Sequence, residues 1–117
     1  MAYALLILEP PGQRKSRTEA EGHDRYDQML RFSEELQGQG LLTLAHSLKS
    51  DGEGVRVTVR DARSSLVDGP FAESKEMIGG FLLLTCADRA QAVAIAQACP
   101  AARWATVEVR ELGPCFS

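Results

Sequence analysis

The residues best suited to chemistry crowd into one stretch, Asp68-Gly69-Pro70-Phe71-Ala72-Glu73-Ser74-Lys75-Glu76, which sets a carboxylate turn and further charges between apolar segments. An Asp at a turn ordinarily folds the chain by hydrogen-bonding the backbone two residues on, but residue 70 is proline and offers no N–H. The Asp68 carboxylate therefore either reaches the amide of Phe71 or stays free for another partner. Gly69 tolerates the backbone angles that a residue ahead of proline is otherwise denied, and the Gly69–Pro70 bond is open to cis or trans. A free carboxylate suits proton transfer when it orients an imidazole. His46 is the only histidine inside an expected core element, so Asp68 and His46 form the candidate catalytic pair. A carboxylate holding one ring nitrogen raises the basicity of the other, which suits abstraction of a proton beside a carbonyl or loss of a leaving group. Lys75 or Arg56 would hold the charge of a small anionic metabolite, and Phe71, Glu73 and Glu76 complete the candidate ligand-binding set. Plainer readings stand beside these: a strand-end His46 with one structural hydrogen bond, solvated charges, or a signature that is purely structural, with Asp68 capping a turn and Glu73, Lys75 and Glu76 in salt bridges.

Those side chains need a scaffold, and 117 residues supply one domain, 1–117, able to bury its own core. Apolar residues at 44% and charged residues at 25% argue against overall disorder. A net charge of −3 with no basic run argues against direct nucleic-acid binding. The apolar opening has neither the flanking charge of a signal peptide nor the length of a membrane span, so the expected location is cytoplasmic. Cys86, Cys99 and Cys115 are odd in number, with no Cys-x-x-Cys and no nearby His cluster. No disulfide framework and no metal site follow, and no cofactor is expected. Cys86 and Cys99 read as small apolar fillers.

Ala2-Tyr3-Ala4-Leu5-Leu6-Ile7-Leu8 is an unbroken apolar run, read as a strand covered on both faces. Residues 10–22, with prolines, glycines and many charges, read as a mobile loop, either a lid or a plain connector, with His23 exposed on the lead-in to a helix. From Asp24 to about Gln37, Tyr26, Met29, Leu30, Ser33 and Leu36 fall at helical spacing and Gly38 and Gly40 end the helix; Tyr26, Met29 and Phe32 are expected in the core. Residues 41–46 read as a strand, and Val55 to Arg60 as a strand alternating Val with Arg and Thr, with Ser65 to Asp68 pairing back as a hairpin arm. Gly80 to Thr85 is a second unbroken apolar strand. Asp88 and Gln91 open a helix through Cys99, stopped by Pro100, and Trp104 to Leu112 alternates as the last strand.

The order strand-helix-strand, inserted hairpin, strand-helix-strand predicts a ferredoxin-like α+β fold, βαββαβ, with both helices on one face of an antiparallel sheet. Strands 2–8 and 80–85 are expected at its centre, apolar on both faces. Two helices cover one face only, so the other calls for a second copy related by a two-fold axis, a homodimer. Arg56, Thr58, Thr106, Glu108, His46 and the signature turn are candidates to line a cleft at the rim.

The signature, followed by Gly79-Gly80-Phe81, resembles that of DGPF-type proteins in the YCII-related family; Ala2 to Leu8, Phe32 to Leu36 and Val107 to Arg110 resemble its opening strand, first helix and last strand. The resemblance implies a dimeric α+β barrel. It also implies, from the wider group, lyase- or isomerase-like chemistry by a His–Asp pair on small cyclic acids. In that group the histidine belongs to the first helix, and this chain has none between Asp24 and Gln37, so that histidine is not carried over. DGPF-type relatives are also often encoded beside or fused to extracytoplasmic-function sigma factors. Two functions therefore stand side by side: a cofactor-independent acid/base enzyme, and a non-catalytic ligand-binding or stress-regulatory dimer with a sigma-factor association.

Overall fold

The computed structural model describes residues 1–116. Strand β1 (Ala2–Glu9) is followed by helix α1 (Glu19–Gly38) and strand β2 (Leu42–Ser47). Strands β3 (Val55–Arg60) and β4 (Arg63–Asp68) come next, then β5 (Met77–Thr85), helix α2 (Arg89–Ala98) and β6 (Thr106–Glu111). The main sheet has the order β2-β5-β1-β6 and every pairing in it is antiparallel, the ferredoxin-like arrangement with the two apolar strands at its centre.

Register decides which side chains meet the helices. Tyr3, Leu5 and Ile7 of β1 lie opposite Leu84, Leu82 and Gly80 of β5 and are buried. They pack with Phe32 and Leu36 of α1 and with Ala92, Ile95, Ala96 and Cys99 at the α2 end. Side chains alternate across a strand, so Ala4, Leu6, Leu8, Phe81 and Leu83 point to the opposite face, joined by exposed Leu44 and Ile78. No helix among the described residues covers that face. The molecule measures 46 × 42 × 19 Å, and its shortest dimension is that of one sheet and one helix layer.

Helix α1 starts earlier than its apolar spacing predicts. Thr18 Oγ1 accepts from the Glu21 amide at 3.1 Å, and Glu21 Oε1 accepts from the Thr18 amide at 3.0 Å, a reciprocal cap that extends the helix to Glu19. The Thr18 bonds hold the Glu21 carboxyl below the ordinary carboxylate range. His23 consequently lies within the helix, exposed, 3.8 Å from Glu19. The expected mobile loop is in fact pinned: residues 14–16 form a 3₁₀ turn, and Arg14 is tied to β1, β5 and the chain after β2. At the other end Gly40, at φ +71°, lets the Leu41 amide reach Leu36 O at 2.9 Å and the Gly40 amide reach Gln37 O at 3.0 Å, a Schellman close.

The hairpin β3–β4 forms a separate two-stranded sheet. Asp61 and Ala62 both take positive φ, as a tight two-residue connection requires. Val55, Val57, Val59 and Leu66 share one face; Arg56, Arg60 and Arg63 share the other. Every residue of both strands is exposed. The radius of gyration is 15.9 Å. A compact chain of this length would give about 13 Å, and the projecting hairpin accounts for the excess.

Candidate functional site

A cleft of about 330 Å³ lies on the helix side of the sheet, between the first half of α1, the adjoining ends of β1 and β5, and the segment around Ala101 and Trp104. Its floor carries Glu9. This carboxylate continues the inward series Tyr3, Leu5, Ile7, and at 4% exposure it is the buried charged residue among those described. A buried carboxylate requires partners. Arg14 supplies two, Nε to Oε1 at 3.0 Å and Nη2 to Oε2 at 2.7 Å, while two further N–H groups donate to Leu48 O at 2.7 Å and Gly79 O at 3.0 Å. Arg17 Nη2 donates to Glu9 Oε1 at 3.5 Å and to Gln13 Oε1 at 3.0 Å.

Gly79 makes that arrangement possible. It is the extra residue in the β1–β5 register, between Ile7↔Gly80 and Leu8↔Ile78. A Cβ there would stand 1.3 Å from Glu9 Oε2 and 2.8 Å from Arg14 Nη2. The bulge also explains why β5 begins at Met77, three residues before its unbroken apolar run.

Cations outnumber anions in the cleft. Arg14, Arg17 and Arg25 line it with Glu9 as the carboxylate, in a chain whose net charge is −3. Glu21 faces Arg17 and Arg25 from the first turn of α1, but its side chain is committed to the cap. Burial, then the like charges of Arg25 and Arg14, lower the Arg17 pKa against the pull of Glu9. Arg17 stays a cation at any physiological pH. Its Nε is buried with no acceptor. Arg25 lies 5.2 Å from the centre of the Trp104 ring, which Arg103 approaches at 5.9 Å. Tyr26 and Leu30 form the apolar wall of the cleft; Tyr26, expected in the core, is instead half-exposed at 53%, and Leu30 is 44% exposed. The arrangement provides a spare donor, a second guanidinium, and aromatic and aliphatic walls.

The signature lies elsewhere, at the base of the hairpin. Asp68 pairs through its backbone with Val55, and its carboxylate is exposed with no hydrogen bond or ion pair among the described residues. The Phe71 amide donates to Asp51 Oδ2 at 3.3 Å, so Asp51 fills the role considered for Asp68. The Gly69–Pro70 bond is cis. The Gly69 amide donates to Gly54 O at 2.9 Å, and a Cβ on Gly69 would lie 1.7 Å from Asp51 O. Arg56 stacks 3.8 Å above the Phe71 ring and donates to Ser74 Oγ at 2.9 Å. Glu73, Lys75 and Glu76 form no ion pair among the described residues. Thr58 is on the hairpin, and Thr106 and Glu108 are on the open face of β6, where Glu108 lies 3.6 Å from Arg110. Gly69→Ala forces the backbone at Asp51 to move. We expect it to loosen the hairpin base by about 2 kcal/mol, raising hairpin amide exchange roughly thirtyfold while central-sheet amides are unchanged.

His46 touches the rim of the cleft, but its register partner Phe81 places its ring on the open face, with the two ring centres 6.0 Å apart. His46 and Asp68 therefore sit in different sheets. Residue types and spacing alone do not single out the cluster of Glu9, Arg14, Arg17 and Arg25. A subtler signal does exist: a carboxylate at the fourth inward position of a buried strand, followed by arginines that the Thr18–Glu21 cap brings back over it.

A search of the curated proteins returns no match. The family model of the YCII-related domain matches residues 1–115, and the chain belongs to the YCII-related family.

Proposed function

We propose that this YCII-related chain is a DGPF-type homodimer whose α1-side cleft binds a small anionic metabolite. The observation that carries the ligand reading is the excess of guanidinium around Glu9, above all the buried Arg17 Nε without an acceptor. An incoming anion would accept from it and relieve the repulsion among Arg14, Arg17 and Arg25. Glu9, held between Arg14 and Arg17, serves as the fixed counter-charge that keeps the arginines in place. The open apolar face of the main sheet supports the two-fold partner, since an exposed patch of that extent marks an interface. Unbridged Cys86 and Cys99 agree with a reducing, cytoplasmic setting.

Trp104 lines the cleft and is the single tryptophan of the chain, so its fluorescence reports occupancy directly. Titration with benzoate and with inorganic phosphate is expected to shift the emission saturably, while benzyl alcohol does not. Arg25→Gln is expected to weaken anion binding by about tenfold or more, the loss of one charge-assisted contact. Equal response to charged and neutral probes, or unchanged affinity in the variant, rules the reading out.

A further inference from the structure

The hairpin β3–β4 is left unexplained by the cleft and by the core. A two-stranded ribbon is marginal in water unless something covers a face. Here Val55, Val57, Val59 and Leu66, at 54%, 58%, 58% and 68% exposure, form an apolar patch bounded on the same face by Ser64 towards the turn and Asp68 at the base. The opposite face carries Arg56, Arg60 and Arg63 with Thr58, Ser65 and the one apolar residue Val67, so the valine–leucine side is the cheaper one to take from water. We infer that the apolar face of this hairpin is a clasp that closes on a second copy of the chain. This inference rests on the homodimer reading but asks more of it.

Area is the argument for a second copy as the occupant. Strands spaced about 4.8 Å apart and rising about 3.3 Å per residue give the four-stranded sheet a plan area of roughly 450 Å². A stable pair takes roughly 800 Å² of accessible surface from each partner. The uncovered sheet face offers little more than half of that as plan area, and the hairpin adds roughly 200 Å² more. The two surfaces match in character, valine and leucine against Leu6, Leu44, Ile78, Phe81 and Leu83. Two-fold symmetry repeats the clasp, so a substitution in its apolar face acts on the interface at two places.

The test is the dimer dissociation constant, measured by sedimentation over a dilution series for the full chain and for the double variant Val57→Lys, Leu66→Lys. Both positions are exposed within the chain, so the fold should survive, which far-UV circular dichroism and the Trp104 emission check. The clasp predicts a rise in dissociation constant of at least about a hundredfold, since burying each such side chain is worth tenfold or more. Hydrogen exchange of the wild-type protein supplies a second measure: hairpin amides should lose protection on dilution in step with dissociation. A dimer whose dissociation constant and hairpin exchange ignore both the variant and dilution overturns the clasp and leaves the dimer standing. A wild-type protein that is monomeric across the series overturns both.

Discussion

Glu9→Ala is expected to lower unfolding stability by about 3 kcal/mol, because removing one member of a buried ion cluster strands the others without compensation. Glu9 is 5% exposed in its side chain and Arg17 13%, whereas Arg14 at 30% keeps some water, which holds the expectation at the low end for buried pairs. For a chain of this size that loss lowers Tm by roughly 10 °C or more. Glu9→Gln retains an acceptor oxygen for Arg14 and should lose about half as much. The same substitution acts oppositely on the cleft. With the counter-charge gone, Arg14, Arg17 and Arg25 face an incoming anion unopposed, so phosphate should bind Glu9→Ala more tightly and recover part of its stability. Urea unfolding with and without phosphate checks both. A Glu9→Ala protein as stable as wild type would show that the cluster holds nothing together.

Gly79→Ala is expected to cost about as much, for a reason that lies in the same Glu9–Arg14 pair. The new methyl would lie 1.3 Å from Glu9 Oε2, one of the two oxygens that Arg14 holds bidentately, so relief requires either breaking that grip or reshaping the bulge. Glu9 is a long side chain, but its end is pinned, and that turns an ordinary glycine substitution into a loss of about 2–3 kcal/mol. The explanation makes a sharper demand. In a Glu9→Ala background the obstacle is gone, and Gly79→Ala should cost under about 1 kcal/mol, so the two losses are strongly non-additive. Additive losses would assign the glycine a purely backbone role. The cycle is read from urea midpoints of four proteins.

What can be read from the sequence follows from which signals are periodic. The central positions of β1 and β5 are legible because Ala2 to Leu8 and Gly80 to Thr85 are apolar without a break, the pattern of strands in the middle of a sheet. The uncovered face follows from there being two helices. The start of α1 is not legible from periodicity, because Glu19, Ala20 and Gly22 carry no apolar stripe and the cap that sets it is a four-residue signal. The site differs from its expected place for a related reason. Asp68 stands out as a carboxylate beside a Gly-Pro pair, yet the group that closes that turn is Asp51, distant in sequence and brought in by the 3₁₀ turn before β3. Glu9 is inconspicuous at the end of an apolar run, although residues 3, 5, 7 and 9 share one face.

The strand order also bears on how the chain is made. Ala2 meets Thr85 and Tyr3 meets Glu111, so β1 finds neither neighbour until a long stretch of chain after it has been synthesised. Contacts so remote slow the search for the native state. Meanwhile the nascent chain carries a strand of bare leucine and isoleucine, the sort of segment that chaperones retain and that self-associates when they are scarce.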